Sequence, residues 1–295
     1  MISFFANIFG YILNYIYNFI GNYGWAIIIF SILVKILMSP ISIKQQKTVK
    51  KTAKIQQKMK EIQLKYKGNQ EKLNEATIEL YKSENMSPFS GCLSAIIQIV
   101  LLFSVFYLVR SPLTYMKKVD TDVINKYSTI IQENELSAKS NYPEIDIIRE
   151  IDSIKNLKKD VQEENSEEKN DLSEINDEEL DNMNINMEFL GLNLAQVPTK
   201  SSDWKAYIIP FLYVIISIFS MKMTTMNTNK NENNEEFDAV AQMNKNMTYT
   251  FPIMYLAVAL IAPLGLALYW LMNSLLMIVE RLILNKLFKD EEEEN

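Results

Sequence analysis

Residues 23–43 read YGWAIIIFSILVKILMSPISI, a stretch in which Lys35 is the only charged side chain. An α-helix needs about 20 largely apolar residues to cross a bilayer, so this stretch is long enough to span one. Seven lysines follow it before the first acidic residue, Glu61. Because short lysine-rich loops stay in the cytoplasm, we expect the C-terminal end of this helix inside the cell and the N-terminus outside.

Three other stretches have the apolar length of membrane crossings. Residues 91–109 and 206–221 carry no charged side chain, and each is close to the length of one span. Residues 246–279 are also uncharged, but they are too long for one span and contain Pro263-Leu264-Gly265, a helix-breaking turn. They predict two spans of about 25 Å each at helical rise, which favours a locally thinned bilayer.

Residues 1–20 are apolar in a different pattern. Their large apolar side chains recur at helical spacing, at Phe4, Ile8, Tyr11, Ile12, Tyr15, Ile16 and Phe19. The opposite side carries Ser3, Asn7, Gly10, Asn14 and Asn18. This pattern is typical of an amphipathic helix in the membrane interface. A cleavable signal peptide is disfavoured, because the stretch has neither a basic residue nor a small-residue cleavage site.

Residues 44–86 predict a helical hairpin in the cytoplasm. Apolar residues follow helical spacing on both sides of Lys67-Gly68-Asn69, which is typical of a turn. Charge alone leaves two interpretations open. The hairpin is either a solvated connector that sets topology, or an arm that meets anionic lipid headgroups or incoming polypeptide.

The chain is therefore predicted to be an all-α integral membrane protein with five transmembrane (TM) helices. Its predicted segments are an external interfacial amphipathic helix 1–20, TM1 21–43, the cytoplasmic helical hairpin 44–86, TM2 87–110, an acidic extracytoplasmic loop 111–203, TM3 204–222, a cytoplasmic loop 223–245, TM4 246–262, TM5 264–284 and an acidic cytoplasmic tail 285–295.

The loop 111–203 carries 21 acidic and 10 basic residues. Helical patterns lie near 121–136 and 144–158, and the composition of 162–184 predicts disorder. Its aromatic and periodic apolar residues are too few to predict a core, so the loop is a poor candidate for an independent module.

The composition excludes several kinds of active site. The chain has no histidine and one cysteine, Cys92, which excludes histidine bases, His-containing zinc sites, Ser-His-Asp triads and internal disulfides. Its seven glycines form no phosphate-binding loop or dinucleotide fingerprint. We expect a protein that is not an enzyme and that uses no cofactor or metal.

Lys35 lies near the middle of the first span, about 13 to 15 Å from either interface at helical rise. A charge at that depth costs about 2.5 to 3.5 kcal/mol on insertion scales, so we expect it to face protein or a water-filled cavity and to be functional. Alternatively, its long stem carries the ammonium toward the cytoplasm with no function attached. Glu280 is only at the inner end of the fifth span, so Lys35 is expected to have no internal partner.

Polar side chains in two other spans are candidates to join Lys35. They are Ser94, Gln98 and Tyr107 in the second span and Asn273 in the fifth. For each alone, hydrogen bonding between helices is the simpler explanation. Together with Lys35 they predict a polar groove.

The order of several motifs identifies a family resemblance. The span with the central cation follows Gly21-Asn22-Tyr23-Gly24 and reaches Pro40, and after it come Leu80-Tyr81-Lys82, the run Ser87-Pro88-Phe89-Ser90-Gly91-Cys92-Leu93 with Gln98, and the run Pro263-Leu264-Gly265-Leu266-Ala267-Leu268-Tyr269-Trp270 with Asn273. This set resembles the YidC family of membrane protein insertases, in its bacterial, low-GC Gram-positive type, over residues 1–115 and 187–285.

The resemblance implies a helical core around a hydrophilic groove that is open to the cytoplasm and the lipid. In such proteins the groove cation, here Lys35, attracts acidic residues of a segment being translocated, and Gln98 is a polar residue of the groove. The implied partners are nascent membrane proteins, the Sec translocon, the ribosome and anionic lipids, with no direct contact to nucleic acid. The implied location is the bacterial plasma membrane, with the N-terminus outside and the C-terminus in the cytoplasm.

The chain also departs from the family pattern. The family commonly has arginine at the position of Lys35, and the acidic run Glu291 to Glu294 cannot act as a basic ribosome-binding tail. The main rival function is a small anion transporter or channel that binds its ion at Lys35, but the two halves show no inverted repeat. A second rival, adhesion or regulation through the acidic loop, needs a core that the loop is not predicted to form.

Overall fold

The computed structural model describes residues 1–84, 90–137, 140–164, 172, 175–226, 250 and 252–293, without the side chains of 45–47, 49–54, 56–57, 60, 90–98, 161–164, 224–226 and 287–293. The described part is mostly helical, as predicted. In chain order its main elements are α1 (Ile2–Ile20), α2 (Tyr23–Lys65), α3 (Gln70–Ser83), α4 (Ser90–Arg110), a π-helix (Leu113–Lys117), α5 (Thr121–Glu133), α6 (Pro143–Glu164), α7 (Asp177–Met183), β1 (Glu188–Phe189), β2 (Leu192–Asn193), α8 (Ile208–Met226), α9 (Pro252–Ile261) and α10 (Leu264–Glu293).

Three segments of the described residues are long and apolar enough to cross a membrane. They are Tyr23–Lys44 in α2, Trp204–Met223, which includes the four residues before α8 and most of α8, and Leu264–Lys286 in α10. There are also two shorter apolar helices, which are residues Ile99–Arg110 of α4 and the whole of α9. They lie at the positions of the predicted second and fourth spans. The five-span arrangement therefore stays a prediction.

Helix α2 joins the first predicted span and the first arm of the predicted hairpin without interruption. It starts at Asn22, whose side-chain oxygen accepts a hydrogen bond from the Trp25 backbone N–H at 3.2 Å, as an N-cap residue does. Pro40 lies inside the helix and lacks the N–H that would bond the Ile36 carbonyl. The Ser39 hydroxyl donates to that carbonyl at 2.8 Å instead, so the carbonyl has a partner, and the helix continues past the proline to Lys65.

Helices α2 and α3 form a contacting pair after the first span. The chain turns between them at Gly68, whose φ of 94° lies in the left-handed region that favours glycine. The Thr77 hydroxyl is 3.5 Å from the Met59 sulfur, and Lys58 forms an ion pair with Glu84. The chain is thus helical on both sides of this turn as far as Ser83, and the cytoplasmic helical hairpin of residues 44–86 stays a prediction.

The loop between α4 and α8 has a core, so the prediction that it lacks one is wrong. The predicted helical patterns near 121–136 and 144–158 correspond to α5 and α6, which pack together. Large apolar side chains from three helices are fully buried there, among them Tyr127, Ile147, Ile154 and Leu180. The segment is acidic overall, but each helix also has an apolar stripe. These stripes pack against one another and form the core. We call α5, α6 and α7 the external unit, after the extracytoplasmic location predicted for this loop, which stays a prediction.

The disorder predicted for residues 162–184 is also wrong where the structure describes them. Helix α6 continues to Glu164, and α7 buries Leu180 and Met183. Residues 165–171 and 173–174 lie outside the described residues. The Tyr127 hydroxyl, from α5, donates to Glu179 at 2.9 Å and accepts from the Asn176 backbone N–H at 3.0 Å, which ties α7 to the core.

Residues after α7 connect the external unit to the apolar helices. The Asn186 backbone N–H donates to the Tyr17 hydroxyl of α1 at 2.8 Å. Strands β1 and β2 form a two-residue antiparallel pair, which departs from the all-α prediction. Phe189 of β1 packs so closely on α2 that a Cβ at Gly24 would lie 2.3 Å from its ring. Only a glycine fits at that point of the helix surface.

The first turn of α10 is capped by the same connecting segment. The backbone N–H groups of Leu264 and Gly265 donate to the carbonyls of Gln196 and Leu194, both at 2.9 Å. The first N–H groups of a helix have no partner within it, so these two bonds satisfy donors that Pro263 leaves at the break between α9 and α10. The connection fixes where α10 begins relative to α2.

Candidate functional site

A cavity of about 440 Å³ lies among α2, α4, α8, α9 and α10. Most of its lining is apolar. Its polar lining residues are Ser31, Lys35, Ser42, Ser217, Ser220, Asn273 and Ser274, with tyrosine and tryptophan side chains beside them. A mixed lining of this kind holds polar groups out of lipid while leaving them accessible from the cavity.

The cavity side of α2 is set by helical spacing. Ser31, Lys35 and Ser42 lie four and seven residues apart, which places them on one face of a helix. The neighbouring faces carry apolar side chains that are exposed, including Ile32 at 39%, Leu33 at 37%, Ile36 at 66% and Leu37 at 55%. One helix thus presents a polar stripe to the cavity and an apolar surface to its other side.

Helix α10 faces α2 across the cavity. Its lining residues Trp270, Asn273, Ser274 and Met277 also follow helical spacing. The Trp270 ring packs against two tyrosines, Tyr213 of α8 and Tyr255 of α9, with ring centroids 5.9 and 5.3 Å away. This aromatic cluster lies about 15 Å along α10 from Glu280 at helical rise.

Lys35 forms an ion pair across the two helices. Its Nζ lies 2.7 Å from Glu280 Oε2, and the two side chains are 20% and 19% exposed. The prediction that Lys35 has no internal partner is therefore wrong. Glu280 lies one turn beyond the cavity-lining Met277, so it reaches the cation from the side of α10. Pairing lowers the cost of placing an ammonium away from water.

Some buried polar atoms at the cavity lack a hydrogen-bond partner among the described residues. They include Trp270 Nε1, which belongs to a lining residue, and Glu280 Oε1, which belongs to the partner of Lys35. A buried polar atom without a partner costs free energy comparable to a lost hydrogen bond. One donor of the lining, at Trp270, and one acceptor of the Lys35–Glu280 pair are therefore left without a hydrogen-bond partner in the described part of the chain.

The residues predicted for the groove have different positions in the structure. Lys35 and Asn273 line the same cavity. Tyr107 does not line it; its side chain is 40% exposed and packs edge-on against Phe106, with centroids 6.0 Å apart. The side chains of Ser94 and Gln98 lie outside the described residues.

Sequence reasoning missed several polar residues of the site. They are the lining residues Ser31, Ser42, Ser217 and Ser220, and Glu280, which pairs with Lys35 from outside the lining. The spacing of Ser31, Lys35 and Ser42 was a usable signal within one helix. The Lys35–Glu280 pairing had no such signal, because it depends on how two distant helices pack.

The fold and this cavity define a helical membrane protein with a charged pair inside its apolar part, and comparison with known proteins gives the family. Residues 15–292 match the family model described as "60Kd inner membrane protein". The chain belongs to this family, the YidC insertases, and is a bacterial membrane protein.

Individual relatives carry the same name. Over 266 residues, 90% of this chain and 87% of the relative, the chain is 27% identical to the "Membrane protein insertase YidC" of Fusobacterium nucleatum. The proteins of that name from Prosthecochloris aestuarii and Helicobacter pylori are 44% identical over 91 residues and 38% identical over 106. Those two matches cover 31% and 36% of this chain, and only 16% and 19% of the relatives. The relatives are thus named as insertases, and none of these names denotes an enzyme.

Proposed function

We propose that this chain inserts membrane proteins, with the cavity serving as a hydrophilic groove. In this proposal Lys35 attracts acidic residues of the segment that is crossing the membrane, while the apolar part of the substrate slides past the outer helices into lipid. The observation that carries the proposal is the division of α2: Lys35 lies on the cavity face, and exposed apolar residues such as Ile36 lie beside it.

The membrane arrangement is part of the proposal. The chain crosses the membrane five times with the segment boundaries predicted from the sequence, the N-terminus outside and the C-terminus in the cytoplasm. The apolar helices in α4 and α9 support the second and fourth spans. Phe4, Tyr11, Tyr15 and Phe19 of α1 are 63 to 89% exposed, which supports an interfacial helix with this face in lipid.

The proposal assigns partners to the other surfaces. The lysines of residues 44–60 favour contact with anionic lipid headgroups, and the α2–α3 pair receives the incoming polypeptide. Nascent membrane proteins are the substrates, taken alone or together with the Sec translocon and the ribosome. The low-GC Gram-positive type rests on the sequence resemblance alone. Transport of a small anion at Lys35 is not favoured, because the relatives are named as insertases.

The test compares four forms of residue 35, namely wild type, Lys35→Arg, Lys35→Ala and Lys35→Glu. Each is reconstituted at matched amounts and supplied with one substrate that has an acidic translocated tail and one that has a neutral tail. Insertion is measured by protease protection of the tail. We expect arginine to retain insertion, alanine to reduce it for the acidic tail, and glutamate to reduce it further because like charges repel.

The control variant is Lys205→Ala, which removes an exposed lysine before α8 and is expected to change neither substrate. Equal loss for both substrates with Lys35→Ala, or no loss, contradicts the electrostatic groove. A lysine that only pairs with Glu280 and has no role in insertion predicts one of these two outcomes, because its removal then affects both substrates in the same way.

A further inference from the structure

Glu280 is paired with Lys35, the residue that binds substrate carboxylates in the proposed function. The Lys35–Glu280 contact of 2.7 Å is a full ion pair, and both side chains are about four-fifths buried. One ammonium near the centre of a span has room for few carboxylates, and a second carboxylate beside the first is repelled by it. A substrate carboxylate therefore approaches a site that is already neutralised.

The pair is incompletely satisfied on the side of the carboxylate. Glu280 Oε1 is buried, and it receives no hydrogen bond from the part of the chain that the structure describes. Buried ion pairs are stable only when the remaining lone pairs are also satisfied. The Lys35–Glu280 pair is therefore one in which another carboxylate can replace Glu280.

Helix α10 gives the displaced carboxylate somewhere to go. Glu280 is six residues before the exposed Lys286, which is about 9 Å along the helix. Its side chain can turn toward that end of α10 when another carboxylate takes Lys35. In this exchange one carboxylate arrives at Lys35 and another leaves it. The number of charges beside Lys35 is therefore unchanged.

Tethering makes Glu280 a strong competitor. A group attached to the same fold acts at a high effective concentration compared with a group that arrives from outside. A substrate tail with a single acidic residue competes poorly against it, whereas closely spaced acidic residues raise the local concentration of the incoming carboxylate. Glu280 is therefore placed to discriminate between substrates by their number of acidic residues.

We propose that Glu280 is a specificity-determining residue that occupies Lys35 in the resting protein and is displaced by the substrate carboxylate. This inference rests on the proposed function, in which Lys35 attracts acidic tails. It adds that the resident carboxylate sets how acidic a tail must be. In the resting protein the same carboxylate neutralises Lys35 within the apolar region.

The experiment uses the full chain in proteoliposomes and three single-span substrates whose tails carry no, one or two aspartates. Wild type, Glu280→Gln, Lys35→Ala and the double variant are compared by protease protection at matched amounts. We expect Glu280→Gln to raise insertion of the one-aspartate substrate about threefold or more, as expected when a tethered competitor is removed. The preference for two aspartates over one then shrinks, and in the Lys35→Ala background, where no cation is left to compete for, Glu280→Gln does not shrink that preference.

The outcomes separate this inference from the proposed function. If Lys35→Ala lowers insertion of acidic tails while Glu280→Gln leaves the one-to-two aspartate ratio unchanged, the role of Glu280 is overturned and the groove stands. An equal effect of Glu280→Gln with and without Lys35 also overturns it, because that result indicates a structural role. The matched control is Glu133→Gln, an exposed carboxylate at the end of α5, which is expected to leave the ratio unchanged.

A measurement on the wild-type protein avoids any dependence on how well the variants fold. Solid-state NMR detects the dipolar coupling between labelled Lys35 Nζ and Glu280 Cδ in the resting protein. We expect the coupling to be present at rest, lost when a stalled two-aspartate substrate is bound, and retained with the neutral substrate. Retention with both substrates overturns the exchange.

Discussion

The external unit and the cavity both place charged groups against apolar surroundings, but they satisfy them differently. In the external unit the Arg149 guanidinium donates to Asp146 at 2.7 Å, to Ser137 at 2.6 Å and to Glu150 at 3.0 Å. Beside the cavity, Glu280 holds Lys35 through one oxygen while its other oxygen lacks a partner within the described chain. The charged groups of the external unit are thus hydrogen-bonded within the fold. At the cavity, one carboxylate oxygen is left without a hydrogen bond from the described residues.

This difference separates stability from function. A satisfied network and a close-packed core stabilise a unit and specify one arrangement. A cavity with open polar groups contributes less to stability, and in the proposed function it binds a changing set of polypeptides. Substitutions in the external unit are therefore expected to lower stability, whereas those at uncharged cavity residues are expected to change insertion with little effect on stability.

The largest expected effect on stability is that of Ile147→Ala in the external unit. Ile147 is completely buried in α6, and truncating a buried isoleucine to alanine costs about 2 to 5 kcal/mol. The measurement is hydrogen exchange of α5 and α6 amides in the full chain in nanodiscs. The control is Ile78→Ala on α3, where the side chain is 55% exposed. Unchanged protection with Ile147→Ala would show that the core of the unit is loosely packed.

A smaller, pH-dependent effect is expected from Glu144 at the start of α6. Its carboxylate is 5% exposed and accepts hydrogen bonds from the Thr114 backbone N–H at 3.0 Å and hydroxyl at 2.7 Å. Burial raises the pKa of Glu144, although the bonds from Thr114 oppose the shift. The folded state thus binds this proton more tightly than the unfolded state does. Its contribution to stability is complete below the ordinary pKa of a glutamate and is lost as pH rises through the raised pKa.

The test for Glu144 compares wild type with Glu144→Gln, which is uncharged at every pH and keeps an acceptor for Thr114. Protection factors of α6 amides, corrected for intrinsic exchange, are measured across the acidic and neutral range. We expect wild type to lose protection relative to glutamine as pH rises. Glu179, whose pKa is lowered by its bonds with Lys126 and Tyr127 despite desolvation, has the opposite dependence and cancels in the comparison. Parallel curves for the two proteins contradict the role of Glu144.

The smallest expected effect on stability is that of Asn273→Ala in the cavity. Asn273 lines an open space, and substitutions outside a packed core usually change stability by no more than about 0.5 kcal/mol. Thermal unfolding of the full chain is expected to be unchanged while insertion of acidic-tailed substrates falls. A large loss of stability with normal insertion reverses the comparison between the two regions.

Periodic features within single helices could be predicted from the sequence. The hydroxyls and Lys35 of α2, and Asn273 on α10, follow from spacing along one helix. Helices α5 and α6 were predicted for the same reason. The core that these two helices form is not apparent from composition, because the acidic residues of the loop outnumber the apolar ones of each stripe, such as Tyr127 and Ile147, that are buried in it.

Contacts between distant helices could not be predicted in this way. Whether Glu280 reaches Lys35 depends on the register of α10 against α2, which is set by the bonds of Leu264 and Gly265 to the segment after β2. The depth of Glu280 in its own span suggested that it lay at a membrane edge. The position of Tyr107 away from the cavity likewise depends on the rotation of α4, which a uniformly apolar sequence does not specify.

The unbroken course of α2 has a mechanical consequence. With 43 residues the helix is about 65 Å long, and its one interior proline, Pro40, divides it into a cavity arm and a longer arm that ends beside α3. A swing of about 10° at Pro40 displaces the far end by roughly 7 Å, because about 38 Å of helix lies beyond it. A small bend at Pro40, five residues after Lys35, thus becomes a large displacement where the chain turns at Gly68.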